Sequence, residues 1–524
     1  MKLVIWRAFL VVPVLFFAVC VFAKVPDIKI KVAEYDSKIS FSMPEGGKWS
    51  FGDKSGLAKA NDKFLLTAKL KKPSCKKFHV MVESVPLRDQ AKLEAALAKW
   101  RSGKRAVNTL TIGKITYSAD GVTPAYDGRV LYIGQGTFAD RETAQKLSDQ
   151  LAAESCSNWI FEEIITLSAG TMELKKNGKK LLSGNIALEL FPAKSVRLEN
   201  VEHAKGYSWH GFETRIYAGN MKFSWGGQNF VDCILTTDME SLLAGVVPAE
   251  ISSRAEPAAL QAQAVAARGE ILGKIALSHY NEGFDCCAEQ HCQVYKGERS
   301  ETERMRSAIL PTRGMLLNDS SGSIVDAVYS ANCGGHTESN HLVWTSQPNP
   351  ILEGTWDTVN ACSLNLTNET DVASYIRFPP DSFCSDKTVE GGDKFRWSKS
   401  LGSSEIKDVE KKLQIGRIKD CGDVKRGPSG RIYSITFNGE NGNKTVIKEL
   451  AIRKLFGGLR SACFIVSWKK DAEGYFCGAE FIGAGWGHGV GMCQSGAQSM
   501  AKRGFKFSEI LSHYFPGSLL KRKY

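Results

Sequence analysis

Long hydrophobic runs are nearly absent from this sequence. Only residues 8–23 form an apolar stretch of a length relevant to a membrane, and they lie at the N-terminus. A multispanning membrane protein is therefore excluded. The excess of positive over negative charge is also small. The sequence has 68 Lys and Arg and 56 Asp and Glu, which leaves a formal net charge of +12 over 524 residues. A positive excess this small excludes a histone-like protein. It still favours a polyanionic partner such as nucleic acid, anionic lipid or cell-wall polymer.

The length and composition indicate a folded protein of several domains. At roughly 100–200 residues per domain, the chain predicts two to four domains. It is 43% hydrophobic and 24% charged, which is neither fibrous nor mostly disordered.

The N-terminus is typical of a secretory signal peptide. Lys2 and Arg7 precede the apolar residues 8–23, which end in Val21-Phe22-Ala23. We expect residues 1–23 to be a signal peptide and the protein to be exported. An uncleaved anchor is the alternative, but this run is short of the ~20 residues that span a bilayer. A lipoprotein at Cys20 would require a better lipobox than the sequence offers.

The cysteines fit an exported protein. Of 14 cysteines, one lies in the signal segment and 13 follow it. In an oxidising compartment such cysteines often form disulfides, and we consider Cys75 with Cys156 and Cys463 with Cys477 as candidate pairs. The odd number leaves at least one thiol free or bound to something else.

Residues 75–167 repeat one pattern of secondary structure. Residues 24–74 before them alternate apolar and polar positions and predict a β-rich segment without an evident role. The repeated pattern is strand-helix-strand, which normally packs as one sheet with two helices on one face. Its predicted strands cover residues 77–82, 107–112, 129–134 and 159–166, and its predicted helices cover residues 88–100 and 142–153, the second capped by Asp140.

The second half of this module contains Val130-Leu131-Tyr132-Ile133-Gly134, then Gly136-Thr137-Phe138-Ala139-Asp140-Arg141, and then the second helix. These segments resemble a SPOR domain. The resemblance implies binding to bacterial cell-wall glycan from which the peptides have been removed. The alternative is an unrelated ferredoxin-like module.

A single glutamate precedes a long apolar helix. Residues 246–251 look like an apolar strand that contains Glu250, and Pro257 opens a helix predicted over residues 258–277. Apolar surroundings would raise the pKa of Glu250, so that it could donate a proton in glycosidic-bond cleavage. A capping or ion-paired glutamate is the alternative, with Arg268 as its partner. No second acid stands out nearby, although an ordinary glycosidase needs a pair.

Residues 200–524 contain a series of short motifs. They are LAGVVPAE (243–250), ALQAQAVAAR (259–268), HCQVY (291–295), CGGHT (333–337), FRW (395–397), SGR (429–431), GWGHGVGMCQ (485–494) and HYFPG (513–517). In their content and order these motifs resemble the SpoIID/LytB family. The resemblance implies an α+β, β-rich catalytic domain over residues 168–524 with one long buried helix.

The resemblance implies a lytic transglycosylase acting on peptide-free peptidoglycan. Glu250 matches the family's acid/base, which would protonate the oxygen between muramic acid and glucosamine. It would then take the proton of the muramic C6 hydroxyl, giving a 1,6-anhydro end without water. The alternative is a non-catalytic, glycan-binding enhancer of a cell-wall amidase. A zinc hydrolase that uses the Cys/His residues described next is a third possibility.

Five Cys and His residues crowd into 14 positions. His279, Cys286, Cys287, His291 and Cys292 offer thiolates and imidazoles for tetrahedral zinc. A local disulfide, with or without a free thiol, is the alternative. The resemblance favours the metal, and we predict His279, Cys287, His291 and Cys292 as ligands of a structural Zn²⁺, with Cys286 competing for the place of Cys287.

Glycine occupies every second position from 483 to 491. In a strand these glycines would face one side, and Trp486 and His488 would project together from the other as a sugar platform. A tightly packed core strand is the alternative. The spacing matches neither phosphate-binding glycine motif. With Trp486 and His488, we predict Gln494, Tyr295 and Arg268 as substrate-binding residues.

Two residues depart from the family's usual pattern. Cys493 stands where serine is common, and Ser495 where tyrosine is common, which would matter if either contacts substrate. A cysteine nucleophile at Cys493 lacks an evident orienting group. We expect denuded glycan as the partner, a cell-wall amidase acting upstream, no nucleic acid, and no membrane beyond the signal or anchor. The predicted location is the periplasm or cell envelope, with the division septum as one site.

Overall fold

We describe the protein from a computed structural model. The structure describes residues 25–524 except 104, 118–123, 155, 206–209, 276, 290, 298–301, 345–346, 359 and 361. The predicted signal peptide and Cys20 therefore lie outside the described residues. Among the residues that are described, no helix is both long enough and apolar enough to cross a membrane.

Strands dominate the chain. In order they are β1 Asp27–Tyr35, β2 Lys38–Ser42, β3 Gly47–Phe51, β4 Lys54–Ala58, β5 Lys63–Lys72, β6 Cys75–Pro86, β7 Asn108–Ile112, β8 Ile115–Tyr117, β9 Pro124–Asp127, β10 Val130–Phe138, β11 Trp159–Thr166, β12 Ala169–Lys176, β13 Lys179–Gly184, β14 Leu188–Pro192, β15 Ser195–His203, β16 Gly211–Ala218, β17 Asn220–Trp225, β18 Val231–Asp238, β19 Cys286–Cys287, β20 Met315–Asn318, β21 Tyr329–Ser330, β22 Arg396–Leu401, β23 Ile418–Arg426, β24 Ile432–Gly439, β25 Gly442–Ile447, β26 Phe464–Lys470, β27 Phe476–Ala484, β28 Met492–Cys493 and β29 Leu519–Arg522.

The helices are concentrated in the second half of the chain. They are α1 Gln90–Arg101, α2 Arg141–Ala153, α3 Met239–Glu250, α4 Pro257–Lys274, α5 Glu303–Ile309, α6 Asn340–Val343, α7 Glu369–Arg377, α8 Ser403–Leu413, α9 Glu449–Leu455, α10 Gln494–Lys502 and α11 Phe507–Tyr514. The mixture confirms the α+β fold class predicted from the sequence.

Two sheets share one large core. One sheet has the order β13-β12-β5-β2-β15-β16, and the other has the order β19-β1-β18-β17-β14-β3-β4. Their strands alternate as the sequence predicts: in β1, Ile28, Ile30 and Val32 are buried, and Lys29 is exposed. Asn177 and Gly178, both at positive φ, close the hairpin between β12 and β13. Residues of both sheets contact each other in the core.

The N-terminal β-rich segment is not a separate unit. Strand β1 pairs with β18, and β5 pairs with β12, so residues from 27–72 and 169–238 complete the same sheets. The predicted boundaries at 24–74 and 168 need correction for this reason. Residues 75–167 are an insertion between two neighbouring strands of one sheet.

The four-stranded sheet and two helices of the inserted module have the predicted βαββαβ order, and a short hairpin of β8 and β9 lies between β7 and β10. The sheet has the order β11-β6-β10-β7, and Val80, Ile133, Ala144 and Leu151 form a small core between the sheet and helices α1 and α2. Asp140 caps α2, because its carboxylate accepts a hydrogen bond from the Thr143 backbone N–H at 2.8 Å. The alternating strands and amphipathic helices of the sequence therefore identified this module.

Neither candidate disulfide forms in the structure. Cys75 begins β6 and pairs with Thr166 at the end of β11, whereas Cys156 precedes the start of β11. Cys463 likewise lies beside the end of β27, and Cys477 lies at its start. Antiparallel pairing therefore holds the members of each pair at opposite ends of neighbouring strands.

The predicted catalytic domain has more than one core. Helices α3, α4, α10 and α11 pack into the large core of the two sheets. Helices α8 and α9 pack with strands β22–β27 around a second core that includes Trp397, Phe437 and Phe481. Strand β29 returns to pair with β20, so the end of the chain is tied to the helical layer.

Candidate functional site

Glu250 is the last residue of helix α3. The prediction of a strand at 246–251 is wrong, because the Asp238 carboxylate caps the backbone N–H groups of Glu240 and Ser241 and starts a helix there. The helix ends where Ile251 adopts an extended backbone. A short apolar run does not distinguish a strand from a buried helix, and this one contains Pro248 in its last turn.

Helix α4 is the buried scaffold beside Glu250. Ala259, Val265 and Ile271 on different faces are all buried, which agrees with the predicted long apolar helix. Pro257 occupies its first turn, as expected. The helix begins one residue before its predicted start and ends at Lys274, three residues before its predicted end.

The environment of Glu250 favours its neutral form. Burial raises its pKa to about 7, and the nearby Glu270 adds to that rise. One hydrogen bond opposes the shift, since the Val294 backbone N–H donates to the Glu250 Oε1 at 2.9 Å. Near neutral pH this carboxyl therefore exists as both acid and base, as proton transfer in both directions requires.

A second carboxylate lies near the first, which the sequence reasoning missed. Glu270 is buried on α4 and accepts hydrogen bonds from the Lys274 Nζ at 2.6 Å and the Gln293 Nε2 at 3.0 Å. The negative charge of Glu270 disfavours ionisation of Glu250. The sequence could have identified this residue, because Glu270 is the only acid within the helix predicted over residues 258–277.

Gln494 lies at the site, as predicted, but its amide is bonded to protein. Its Nε2 donates to the Glu250 backbone oxygen at 2.9 Å and lies 3.3 Å from the Gln263 Oε1. Since Gln494 is the first residue of α10, it joins three helices at the end of α3. Its position supports a role in holding Glu250 in place.

Arg268 does not pair with Glu250 and does not face a substrate surface. Its guanidinium is completely buried and forms a two-pronged ion pair with Glu240, with N–O distances of 2.9 and 2.7 Å. Its remaining nitrogen donates to the Met315 oxygen. The predicted substrate-binding role is therefore corrected to a structural one. The partner could not be read from sequence, because it lies on another helix.

Tyr295 is also placed in the core rather than at a surface. Its side chain is 1% exposed, and its ring lies 5.9 Å from that of Tyr217 on β16. This position contradicts the prediction that Tyr295 contacts substrate.

The alternating glycines form a loop and not a strand. Strand β27 ends at Ala484, and Gly485, Gly487, Gly489 and Gly491 all have positive φ. A β-carbon on Gly489 would collide with the buried Arg431 guanidinium, and one on Gly491 with the Val328 carbonyl. Other groups of the protein therefore approach the backbone closely at these two positions, which only glycine allows.

Trp486 and His488 occupy this glycine loop, which comprises residues 485–491. Trp486 is 37% exposed, and its ring lies 4.9 Å from the Lys394 Nζ and 4.7 Å from the Arg460 guanidinium carbon. Burial lowers the pKa of His488 to about 3, so its ring is neutral. The Val490 backbone N–H donates to the His488 Nδ1 at 3.0 Å, which leaves the Nε2 as the protonated nitrogen.

A further tryptophan belongs to the same surface. Trp344 is 38% exposed, and its ring centroid lies 4.9 Å from that of His488. The sequence reasoning missed it because it is 144 positions from His488 in the chain. The aromatic residues Trp344 and Trp486 together provide the kind of apolar surface on which sugar rings stack.

The loop and Glu250 are connected through β21. Tyr329 on β21 pairs with Met492 on β28, which directly follows the glycine loop. Burial raises the pKa of Tyr329 well above its usual range, and the negative charge of Glu250 raises it further. Tyr329 is therefore a neutral phenol near Glu250, and another residue that the sequence reasoning missed.

The Cys/His cluster assembles as predicted. The donor atoms of His279, Cys287, His291 and Cys292 all lie within 4.8 Å of one another. Cys292 Sγ lies 3.3 Å from the His279 Nε2 and 3.4 Å from the His291 Nδ1. Tetrahedral zinc with ordinary bond lengths places sulfur and nitrogen ligands about 3.6 Å apart, so these residues fit the ion.

The structure separates Cys287 from its neighbour. Cys286 is buried in the large core, whereas Cys287 Sγ faces the His291 Nδ1 at 3.9 Å. Adjacent residues on a strand point to opposite faces, so only Cys287 can join the cluster. The His279 Nδ1 lies 3.0 Å from the Glu282 carboxylate, the usual outer partner of a metal-bound histidine.

The two departures from the family pattern are both internal. Cys493 and Ser495 are completely buried. The Ser495 hydroxyl donates to the Ala331 oxygen at 2.9 Å. Neither side chain is placed to contact a substrate, because both lie in the interior.

Two family models match parts of this chain. The family model described as stage II sporulation protein, SpoIID, matches residues 228–318, which contain Glu250 and the Cys/His cluster. This match, together with relatives named stage II sporulation protein D and amidase enhancer, supports assignment of the chain to the SpoIID/LytB family. A second model, described as a domain of unknown function, DUF8618, matches residues 338–491 and ends with the glycine loop. Both segments lie outside residues 75–167, so the SPOR assignment stays a prediction.

Three relatives show what this chain is similar to. The amidase enhancer of Bacillus subtilis is 26% identical over 79% of this chain and 56% of its own length. Stage II sporulation protein D of Bacillus subtilis is 25% identical over 53% of this chain and 73% of its own. An uncharacterized protein of Brachyspira hyodysenteriae is 27% identical over 60% and 74%. The chain therefore spans little more than half the length of the amidase enhancer.

Proposed function

We propose that this SpoIID family member is an exported lytic transglycosylase of the bacterial cell wall, acting on peptide-free glycan strands. The observation that carries the proposal is the Glu250 carboxyl, whose pKa is raised to about 7 by burial at the end of α3. Membership in a family with sporulation and amidase-enhancer relatives supports a role in the cell wall.

The proposed reaction uses Glu250 twice. Protonated Glu250 donates its proton to the oxygen that links C1 of muramic acid to glucosamine, and the C1–O bond breaks. The C6 hydroxyl oxygen of the same muramic acid then bonds to C1, and its proton passes to the Glu250 carboxylate. The product is a 1,6-anhydro end, the catalyst is restored and no water is consumed. A single carboxyl is sufficient, so Glu270 serves only to tune its pKa.

Product analysis tests the proposal. Peptide-free glycan strands are incubated with the mature protein and examined by mass spectrometry for anhydro-muramic ends. Reducing ends in their place would overturn the transglycosylase mechanism and favour hydrolysis. The second candidate function is a non-catalytic enhancer of an amidase, which the amidase-enhancer relative supports. Absence of any cleavage, together with stimulation of an added cell-wall amidase, would favour it.

The activity should depend on pH through Glu250. The acid form is needed for the first step, and the raised pKa keeps that form populated up to about pH 7. We expect kcat/KM to fall about tenfold per pH unit above that value. The nearby groups are Glu270 with its partner Lys274 on α4 and Tyr329 on β21. Rates measured from about pH 5 to about pH 9 check this, and a pH-independent rate would contradict it.

The inserted module is proposed to hold the same polymer. Tyr132, Trp159 and Phe161 meet on its sheet, with Tyr132 lying 5.3 Å from each of the other two rings. Ile160, between Trp159 and Phe161, packs into the helix-side core, so the aromatic side chains lie on the opposite face. A partly exposed aromatic face suits a sugar ring, and a second binding site raises the local substrate concentration.

Loss of one ring should weaken glycan binding. We expect Trp159→Ala to lower the affinity for peptide-free glycan about tenfold, or ~1.4 kcal/mol, because a stacking surface is removed. Co-sedimentation with insoluble glycan measures it. Phe212→Ala, which removes an exposed aromatic side chain from β16, is the matched control. Equal binding by both variants would show that this face does not bind glycan.

The Cys/His cluster is proposed to hold a structural zinc ion. Four protein ligands would complete a tetrahedral shell, leaving no position for a substrate or water. The ion would fix the segment from His279 to Cys292 against β1 and β18. That segment leads directly to Val294, whose backbone N–H contacts Glu250. The proposed zinc therefore stabilises the backbone that positions the catalytic carboxyl.

Neighbouring cysteines give a sharp test of this zinc. We expect Cys287→Ser to lower zinc affinity by more than ~100-fold, since even changes to outer partners cost about 10–100-fold. Cys286→Ser, one residue away and equally buried, should leave zinc binding unchanged. Competition with a chromogenic chelator measures both. If the two variants lose zinc equally, the assignment of Cys287 is wrong.

A further inference from the structure

A second group of potential metal ligands lies in the interior, apart from the Cys/His cluster. It consists of Cys333, Asp357, Cys384 and Cys493, which come from four separate segments of the chain. One donor atom of each lies within 4.8 Å of the others. All four side chains are at most 2% exposed. We call this group the three-thiol cluster.

The spacing of the sulfurs matches a metal shell. Cys333 Sγ and Cys384 Sγ lie 3.7 Å apart. Two sulfurs bound to the same tetrahedral zinc at ~2.3 Å are separated by about 3.8 Å. A disulfide requires about 2.05 Å, so the two thiols are not bonded to each other.

Backbone N–H groups point at the sulfurs. The Cys333 N–H donates to the Cys493 Sγ at 3.1 Å, and the Gly496 N–H donates to the same sulfur at 3.4 Å. The Gly335 N–H donates to the Cys333 Sγ at 3.4 Å. A thiol is a weak acceptor and a thiolate a strong one, so three such donors favour negatively charged sulfur.

Among the described residues, no lysine or arginine lies within ion-pair distance of the Asp357 carboxylate. Asp357 Oδ1 accepts a hydrogen bond from the Tyr514 hydroxyl at 2.5 Å, and its Oδ2 accepts one from the Cys384 N–H at 2.9 Å. Among the described residues, the basic side chain within ion-pair distance is His513, whose Nε2 lies 3.9 Å from Oδ1. Burying a carboxylate with three thiols is costly unless positive charge accompanies them.

We propose that the three-thiol cluster is a second zinc site, formed by the sulfurs of Cys333, Cys384 and Cys493 and one oxygen of Asp357. Three S–Zn bonds form as three thiol protons pass to solvent, and the carboxylate supplies the fourth ligand. The shell is closed, so the ion is structural. The N–H donors and the Tyr514 hydroxyl disperse the remaining negative charge.

The position of this site connects it to the proposed catalytic centre. Cys493 is the residue that caps α10, and the next residue, Gln494, donates to the Glu250 backbone oxygen. Cys333 follows Asn332, whose backbone pairs with Trp486 in the glycine loop. The second zinc would therefore fix both the loop and the residue that holds Glu250.

Metal counting with paired variants tests the proposal. The protein is purified anaerobically with zinc, and bound metal is measured by inductively coupled plasma mass spectrometry. We expect two zinc ions per chain in the wild type and one in Cys384→Ser. Cys292→Ser should also keep one, because it removes a ligand of the other cluster. Cys421→Ser, a partly buried cysteine outside both clusters, is the control and should keep two.

Wild-type protein provides a second measurement that does not depend on a variant folding. Anomalous diffraction at the zinc edge should place an ion about 2.3 Å from three sulfurs. A Cys333–Cys384 disulfide in non-reduced peptide maps, or no anomalous peak at the cluster, would overturn the proposal. Zinc retained in Cys292→Ser but lost in Cys384→Ser would support this site even if the Cys/His cluster held no metal.

Discussion

Replacing Glu250 with glutamine is expected to reduce the formation of 1,6-anhydro ends by about 10²–10⁴-fold, the usual contribution of a general acid or base. Glutamine keeps the size of the side chain and can still face the Val294 N–H. It can neither donate a proton to the glycosidic oxygen nor accept one from the C6 hydroxyl. Mass spectrometry of peptide-free glycan strands after timed incubation measures the loss.

A matched variant separates chemistry from folding. Glu256, six residues after Glu250, is exposed at the start of α4, and its side chain forms no capping hydrogen bond with that helix. The Glu256→Gln variant should therefore retain full activity. Both variants should bind glycan and zinc as the wild type does. If Glu250→Gln cleaves glycan at the wild-type rate, the acid is another residue, and buried Glu270 is the next to test.

Replacing Arg268 with alanine is expected to destabilise the helical layer by about 3–5 kcal/mol. The change leaves the Glu240 carboxylate with its charge but without its guanidinium partner, and it leaves the Met315 oxygen without a donor. It also opens a cavity in the most buried part of α4. The midpoint of urea unfolding, followed by tryptophan fluorescence, measures the loss.

The control for this prediction is Arg254→Ala, since Arg254 is exposed in the turn before α4. Its unfolding midpoint should match that of the wild type. The result also decides between two roles for Arg268. A variant with unchanged stability but weakened glycan binding would return Arg268 to the substrate-binding role that the motif first suggested.

Local patterns were sufficient for much of the fold. The inserted module was predicted with its order of strands and helices, because period-two and period-3.6 patterns depend on neighbouring residues alone. The buried helix α4 and the Cys/His cluster were visible for the same reason. His279 and Cys292 are only 13 positions apart, so one loop brings them together.

The failures share a different physical cause. The glycine loop was predicted as a strand because alternation resembles a pleat, whereas the structure uses glycine for its positive φ next to Arg431 and Val328. Arg268 and Tyr295 were predicted to bind substrate, but both are buried in the core. Their partners, Glu240 and Tyr217, lie 28 and 78 positions away, and no local pattern encodes such contacts.

The sequence by itself determined the fold class, the order of strands and helices in the inserted module and the donors of the first cluster, because each depends on residue type and short spacing. It identified the candidate carboxyl through the resemblance of its motifs to the SpoIID/LytB family. The apolar neighbours of Glu250 in the sequence predicted its raised pKa, but only the tertiary structure revealed the nearby Glu270, whose charge adds to that rise. Only the tertiary structure brought Cys333, Cys384 and Cys493 together across 160 positions of chain. Contacts between residues so far apart in the chain depend on how sheets and helices pack. Local patterns in the sequence do not predict them.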